Sequence, residues 1–311
     1  MIVIVTHSQD LTADFVIRHL VTRSAEFIRL DTDTLSTPKR HFGFDRGCPV
    51  LNYDGVSVAA NKVSALWARR FSRPHSLESV SAPYSKFVQR ELRDLTEAFI
   101  DAVSGLVVNS YETDRRAGNR LTQSLAAAEA GLTVPITLVT QDVKTASDFA
   151  TKYRAIAKAI SFGVLTEDSE LVVHTTSVDA DKLDGVEVSP VLLQNDIEKK
   201  HEWRVTTVGS RVFAARTRLD VEIDKSDWRR SADVKNIFEL ACLPSDIEEG
   251  LMSLCKAGAI HFGAHDLIEK PDGTFVFLET NPAGQWGWLE LTLGLPIGEA
   301  VADLLLQGGG T

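Results

Sequence analysis

The chain has 311 residues, of which 44% are hydrophobic and 24% charged, so it has the composition of a soluble globular protein and length enough for two or three small domains or one elaborate α/β domain. Its 33 Lys and Arg stand against 43 Asp and Glu, a net charge of −10 that argues against a nucleic-acid partner. No apolar run approaches the length that spans a bilayer, so no membrane partner is expected. Met1-Ile2-Val3-Ile4-Val5-Thr6-His7 reads as a buried first strand and not a signal peptide, and the three cysteines, Cys48, Cys242 and Cys255, form no C-x-x-C. A reducing cytoplasm is the expected compartment.

Along the chain, strand and helix signals alternate through residues 1–110. A strand is expected over 2–6, a helix over 12–23, a strand over 26–30 and another over 64–70, ending in Trp67-Ala68-Arg69-Arg70. Val88, Leu92, Leu95, Phe99 and Val103 recur at helical spacing with charges opposite them, which predicts a helix over 86–103. This alternation implies a small parallel-sheet domain. A second helix follows over 119–130, with Asn119 as N-cap and Gly131 as its stop. Strands are expected over 133–140, 153–160, 171–177, 191–194, 202–208 and 211–219, the last two joined as a hairpin by Gly209-Ser210. Helical signals return over 245–257 and 296–306, and a frayed tail is expected over 308–310.

The segment between those last helices says most about function. Phe275, Phe277, Glu279 and Asn281 alternate with Val276, Leu278 and Thr280, so period 2 places all four on one face of a strand. Pro271-Asp272-Gly273 between two apolar runs is a turn, because Pro presets φ and Gly accepts positive φ. If Asp272-Gly273 is a two-residue loop, Asp266 faces Glu279. A three-residue loop shifts the register by one, and the sequence leaves both open. In the first register two carboxylates and an amide oxygen, from Asp266, Glu279 and Asn281, converge, a hard-oxygen set that suits Mg²⁺ held with nucleotide phosphates. His261 and His265 lie at i, i+4 nearby, but Asp266 has the opposite parity, so they read as strand histidines and not as a zinc site.

Four segments in this order resemble the ATP-grasp superfamily. They are Asn119-Arg120-Leu121 with Gly131 to Thr137; the strand ending in Lys158; Gln194-Asn195-Asp196-Ile197 with Glu202-Trp203-Arg204-Val205 and Val212 to Arg216; and Asp266 with Leu278-Glu279-Thr280-Asn281-Pro282. Within it the chain resembles the ATP-grasp ribosomal peptide maturases, the microviridin-type or graspetide synthetases, over nearly its whole length. Trp67 to Phe71, Arg116 to Leu121, Glu202 to Val205, Asn281 to Trp286 and Leu291 to Ile297 with Ala300 carry that likeness. It implies an α/β (α+β) ATP-grasp fold with an N-terminal pre-ATP-grasp α/β domain: residues 1–114 pre-ATP-grasp, 115–195 central subdomain, 196–311 C-terminal catalytic subdomain.

The resemblance also implies the chemistry. Such enzymes phosphorylate Asp or Glu side chains of a ribosomal precursor peptide, leader plus core, and pass the acyl group to Thr, Ser or Lys side chains. ATP and Mg²⁺ are the implied cofactors, and a homodimer stays open. Lys158 corresponds to the lysine that contacts phosphates, Arg120 stands where many members have Lys, and Gln194, Asn195 and Ile197 fall in the segment that holds adenine. Asn195 replaces the usual Glu, and the glycine loop after Lys158 is thin, Ser161-Phe162-Gly163-Val164. Around Gly209-Ser210 the hairpin register sets Arg204 opposite Ala215 and beside Arg216, an arginine pair suited to grip the phosphoryl group bidentately. Arg69 and Arg70 have two readings, contact with an acidic core peptide or simple solvation. The rival functions are a ligase of free amino acids or small peptides, of the glutathione-synthetase kind, and a non-catalytic ATP-binding peptide module.

Overall fold

A computed structural model gives the fold and describes residues 1–34, 40–70, 80–160, 175–183, 185–219 and 237–308. The N-terminal part runs β1 (Ile2–Thr6), α1 (Leu11–Thr22), β2 (Phe27–Asp31), β3 (Arg40–Asp45), β4 (Cys48–Tyr53), β5 (Val56–Ala59), β6 (Ala65–Ala68), α2 (Ala82–Asp101) and β7 (Leu106–Val108). Four strands form a sheet in the order β2-β1-β6-β7, with β1 parallel to β2 and β6, and β6 parallel to β7. All of β1 is buried because both faces are covered. Ile2 and Ile4 pack in the core that contains α1 and α8 residues, Val3 and Val5 against Phe99 and Ile100 of α2. The β3-β4-β5 meander is an element that the sequence reading missed. Its strands carry Pro49 and Gly43, and among the described side chains only Leu51 and Val58 are buried, so no clean alternation marks it.

The middle of the chain runs α3 (Tyr111–Ala117), α4 (Arg120–Glu129), β8 (Thr137–Thr140), α5 (Val143–Lys152), β9 (Ala155–Lys158), β10 (Thr176–Val178) and β11 (Val191–Asn195). Asn119 caps α4 as expected, its Oδ1 accepting from the amides of Leu121 and Thr122 at 3.0 and 3.1 Å. Helices α3 and α5 were not foreseen. They are short, seven and ten residues, and α5 buries only Ala146 fully. The central sheet has the order β10-β9-β11-β8. One face packs Leu138, Ala157 and Leu193 around Ala146 of α5. By alternation and register, Ile156, Lys158, Leu192 and Gln194 share the other face. The expected strand 171–177 lies mostly outside the described residues, as do the Ser161 to Val164 loop, Phe71 and residues 309–310 of the expected tail.

The C-terminal part runs β12 (His201–Val208), β13 (Arg211–Thr217), β14 (Phe238–Leu240), α6 (Ser245–Gly258), β15 (Phe262–Glu269), β16 (Phe275–Asn281), α7 (Gly287–Leu293) and α8 (Ile297–Gln307). Its antiparallel sheet has the order β14-β13-β12-β15-β16. One face buries Trp203, Val205, Leu267 and Phe277 against Ala127 of α4 and Leu251 and Leu254 of α6. On the other, Val208, Phe213 and Phe262 share a core with Trp286, Leu289, Val301 and Leu305.

Packing crosses divisions drawn at residues 114 and 195. Helix α4 belongs to the core of the C-terminal sheet, and α8 packs on α1 and the first sheet. Asn109, just after β7, is a further cross-tie. Its Nδ2 donates to the carbonyls of Phe262 and Pro282 at 2.8 and 3.1 Å, and its Oδ1 accepts from the amides of His261 and Phe262 at 2.8 and 3.2 Å.

Asn109 is 3% exposed, so these backbone groups depend on it. In Asn109→Asp two donors become acceptors aimed at carbonyls. A loss of about 2–4 kcal/mol is expected, read as a lower urea midpoint with unchanged slope. An unchanged midpoint would show that the tie contributes nothing.

Candidate active site

The register of β15 and β16 combines features of both turns considered from the sequence. The Lys270 amide donates to the Thr274 carbonyl at 2.9 Å, so Pro271, Asp272 and Gly273 form a three-residue loop, with Gly273 at φ +85°. Carried unchanged along the ladder, that register would set Asp266 against Leu278. A bulge intervenes: Leu267 pairs with Phe277 but Asp266 pairs with Glu279, leaving Leu278 as the extra residue. One expectation is thereby corrected. Phe275 and Phe277 pack with Trp203 under α4 and α6, whereas Glu279 and Asn281 share the opposite face with Asp266. The strand edge is fixed from outside as well. The Phe277 amide donates to the Thr133 carbonyl at 2.8 Å, and the Thr280 amide to Gln123 Oε1 of α4.

Antiparallel pairing continues the row across the sheet. Ala215, Arg204, Asp266 and Glu279 are successive cross-strand neighbours. Arg204 is 7% exposed and ion-paired through Nη1 to Asp266, with Nη2 donating to the Gln285 carbonyl at 3.2 Å. Its Nε is buried with no hydrogen-bond partner among the described residues. Glu279 pairs with Arg120 Nη2 at 2.9 Å. Arg120 also donates through Nη1 to the Ala159 carbonyl at 2.7 Å, so it joins the N-terminus of α4, the end of β9 and the carboxylate.

Lys158 stands beside this row. Burial pulls its pKa down to about 8; Arg120 and Lys199 pull the same way, while Glu279 and Asp266 oppose them. Gln194 is 2% exposed on the same face as Lys158. Its Nε2 donates to Thr137 Oγ1 at 3.1 Å, and its Oε1 is buried with no partner among the described residues. Asn195 plays a different part: its Oδ1 accepts from the Ile136 amide at 2.8 Å and pins the start of β8. Ile197 is half-buried in the crossing between the two sheets.

Two readings change. Alternation places Arg216 on the Trp203 face of the sheet, opposite to Arg204. There its guanidinium lies 5.8 Å from the Trp203 ring centroid, and its Nε pairs with Glu239 at 2.9 Å. The facing arginine pair is therefore not formed. Arg69 is neither solvated nor open to a peptide: it is 3% exposed and ion-paired with Asp10 at 2.9 Å. Sequence reasoning also missed Lys199, Gln123 and Gln285. Lys199 had a signal in the Glu198-Lys199-Lys200 charge run and Gln285 lies in the Asn281 to Trp286 segment that carries the resemblance, but Gln123 had none.

His265 is structural. His265 is fully buried behind Asp266, with its ring nitrogens 2.9 Å from Thr207 Oγ1 and 2.8 Å from Thr280 Oγ1, tying β12 to β16. Burial, helped by Arg204 and opposed by Asp266, pulls its pKa down to about 3, so it is neutral. Among the described residues no group of three His, Cys, Asp or Glu side chains is placed to hold a metal. The donor set of Asp266, Glu279 and Asn281, two carboxylates and an amide, nevertheless has the hard oxygens that Mg²⁺ prefers. Asn281 Oδ1 accepts from the Ala283 amide at 3.0 Å, which leaves an amide oxygen its second lone pair. The orphaned acceptor of Gln194 and donor of Arg204 fit the two ends of a nucleotide, a base amine and a phosphoryl oxygen.

The chain resembles known proteins over nearly its whole length. A family model described as the MvdD pre-ATP grasp domain matches residues 1–115. The macrocyclase MdnC of Microcystis aeruginosa MRC, solved with its precursor peptide MdnA, superposes with a TM-score of 0.86 at 27% identity, covering 98% of this chain and 99% of that one. A Chryseobacterium gregarium RiPP-associated ATP-grasp ligase, solved with ADP and a leader and core peptide, gives 0.86 at 28% identity over 98% and 96%. Macrocyclase MdnB of Microcystis aeruginosa MRC gives 0.79 at 28% identity over 98% of each chain. No curated protein matches the chain. The fold and its site define an ATP-grasp ligase. More narrowly, the chain is similar over nearly its whole length to ATP-grasp macrocyclases and ligases solved with ribosomal precursor peptides. No helix among the described residues is long and apolar enough to cross a membrane.

Two outcomes are expected. Phosphates favour charged Lys158, and the free side chain loses its proton as pH rises through about 8. ADP affinity should be flat below neutrality and weaken about tenfold between pH 7 and 9; Lys158→Arg should flatten the profile, and a flat wild-type profile excludes the phosphate contact. Second, Arg204→Lys should slow turnover by about a hundredfold with little change in ADP affinity, because the arginine fork is lost. Arg216→Lys should cost less than about threefold; equal losses would restore the joint grip.

Proposed function

We propose that the chain closes side-chain rings in a ribosomal precursor peptide, joining Asp or Glu carboxylates to Thr or Ser hydroxyls or Lys amines at the expense of ATP. The observation that carries this reading is the single row of Arg204, Asp266 and Glu279 beside Lys158, set in a chain that is similar over 98% of its length to a macrocyclase solved with its precursor.

A carboxylate is a poor acyl donor because oxide would have to leave. Transfer of the γ-phosphoryl group to a carboxylate oxygen, with ADP leaving, makes an acyl phosphate. The hydroxyl or amine of the acceptor then attacks the carbonyl carbon and loses its proton, and phosphate departs. The peptide loses one water per ring and ATP becomes ADP and phosphate. Little covalent chemistry falls to the protein, so its contribution is positioning and charge stabilisation. Lys158 acts as a point charge on the phosphates, and Gln194 Oε1 accepts from the adenine amine. Arg204 holds the phosphoryl oxygens and the tetrahedral oxyanion, and Arg120 keeps Glu279 in place. Asp266, Glu279 and Asn281 would hold Mg²⁺, which when bound neutralises charge on the phosphate oxygens. ATP, Mg²⁺ and a cytoplasmic setting follow from this reading.

Incubation with the cognate precursor, ATP and Mg²⁺ should remove one water mass per ring, read by mass spectrometry. Hydroxylamine should reopen ester rings. Glu279→Gln should keep the fold and lose turnover by about a hundredfold or more. A precursor that gains an added amino acid would point instead to the free amino-acid ligase, and wild-type turnover in Glu279→Gln would remove the metal assignment.

A further inference from the structure

In an open parallel sheet, ligands bind outside the carboxyl ends of the strands, where the strand order reverses. In the first sheet that point lies between β1 and β6, because the chain leaves β1 towards β2 on one side and returns to β6 on the other. Here the crevice holds a piece of the same chain, the loop from Pro282 to Trp286 that follows β16. Side chains that leave the ends of these strands take its carbonyls in turn. Asn109 donates to Pro282 at 3.1 Å, Arg70 Nη2 to Ala283 at 3.3 Å and Arg69 Nη1 to Gly284 at 3.4 Å. The next carbonyl, Gln285, accepts from Arg204 Nη2 in the active site at 3.2 Å. The Gln285 side chain is held too: its Oε1 accepts from Arg69 Nη2 at 3.0 Å and from Thr12 Oγ1 at 2.6 Å.

The grip is rigid at both ends. Arg69 is fixed by Asp10, which itself caps α1 through the Thr12 amide at 3.1 Å and accepts from Thr6 Oγ1 at 2.6 Å. The loop lies tight on the catalytic sheet: a Cβ at Gly284 would come within 2.5 Å of Ala264 Cβ and 3.3 Å of Arg204 Nη2. Movement of the loop therefore moves the carbonyl that orients the Arg204 fork.

We propose that Arg69 and Gln285 are positioning residues for the reaction. Through the loop that fills the switch-point crevice, the pre-ATP-grasp domain sets the orientation of the Arg204 guanidinium. Neither residue touches substrate; each acts through Arg204. The proposal rests on the functional reading above only for the role of Arg204.

The test uses Gln285→Ala, which keeps the Arg69–Asp10 ion pair, and Thr12→Val, which removes one hydrogen bond to Gln285. Crystal structures of wild type and Gln285→Ala with ADP are compared first; the expected result is a displaced loop and an Arg204 turned away from Asp266. Single-turnover ring closure and ADP affinity are then measured on Gln285→Ala, Arg204→Lys and the double variant. Gln285→Ala should slow closure about tenfold or more with ADP affinity unchanged. In the Arg204→Lys background the same substitution should cost less than about threefold, since the two act as one unit. Thr12→Val should shift rate in the same direction by less. Losses that multiply in the double variant, or an Arg204 unmoved in the crystals, would overturn the proposal. If wild type removes no water from the precursor, the functional reading fails by itself, and the crystal comparison still decides the positioning role.

Discussion

A single extra residue in β16 sets the geometry of the site. Strand alternation alone would place Phe275, Phe277, Glu279 and Asn281 on one face, which would bury charge with the aromatic rings or expose the rings to the cleft. The bulge at Leu278 reverses the alternation half-way along the strand. Phe277 therefore joins Leu267 and Trp203 in the core under α4 and α6, while Glu279 and Asn281 turn towards Arg204 and Asp266. Outside contacts hold the strand on both sides of the irregularity, Thr133 taking the Phe277 amide and Gln123 the Thr280 amide. A strand edge that is bonded in this way does not slip, and register is what brings the oxygens together.

Charges in the cleft are balanced by one another. Asp266 is matched by Arg204, Glu279 by Arg120, and Lys158 is left with a depressed pKa because burial outweighs the nearby carboxylates. An arriving polyphosphate would find three cations already fixed in place. On the proposed reading it would draw on the arginines and leave carboxylate lone pairs to a divalent cation. Preorganised charge of this kind is usually the largest contribution that a protein makes to phosphoryl transfer.

Chain order and packing order differ. The last helix, α8, completes the core of the first sheet, and α4 completes the core of the last. The loop after β16 runs into the crevice of the first sheet and is met there by Arg69, Arg70 and Asn109. Buried arginine pairs such as Arg69–Asp10 add little net stability, since desolvation offsets attraction, but they define one arrangement sharply. That arrangement reaches Arg204 through Gln285.

Much of this was legible in the residues themselves. Period 2 and the Gly209-Ser210 turn fixed the β12–β13 register, so Arg204 opposite Ala215 follows from the sequence. Asn119 announced a capped helix, and the pairing of Asp266 with Glu279 was one of two registers that the turn allowed. Local signals of this kind reside in neighbouring residues, where φ preferences and side-chain alternation act. What needed the tertiary structure was long-range. The bulge depends on an edge bonded to Thr133 and Gln123, far off in sequence. The face of Arg216 follows from the same alternation, but its contacts with Trp203 and Glu239 do not. Arg69 is a buried tie because Asp10, Gly284 and Gln285 converge on it from three separate parts of the chain. Whether a polar side chain is solvated or sequestered is decided by what packs against it, and a linear pattern does not carry that information.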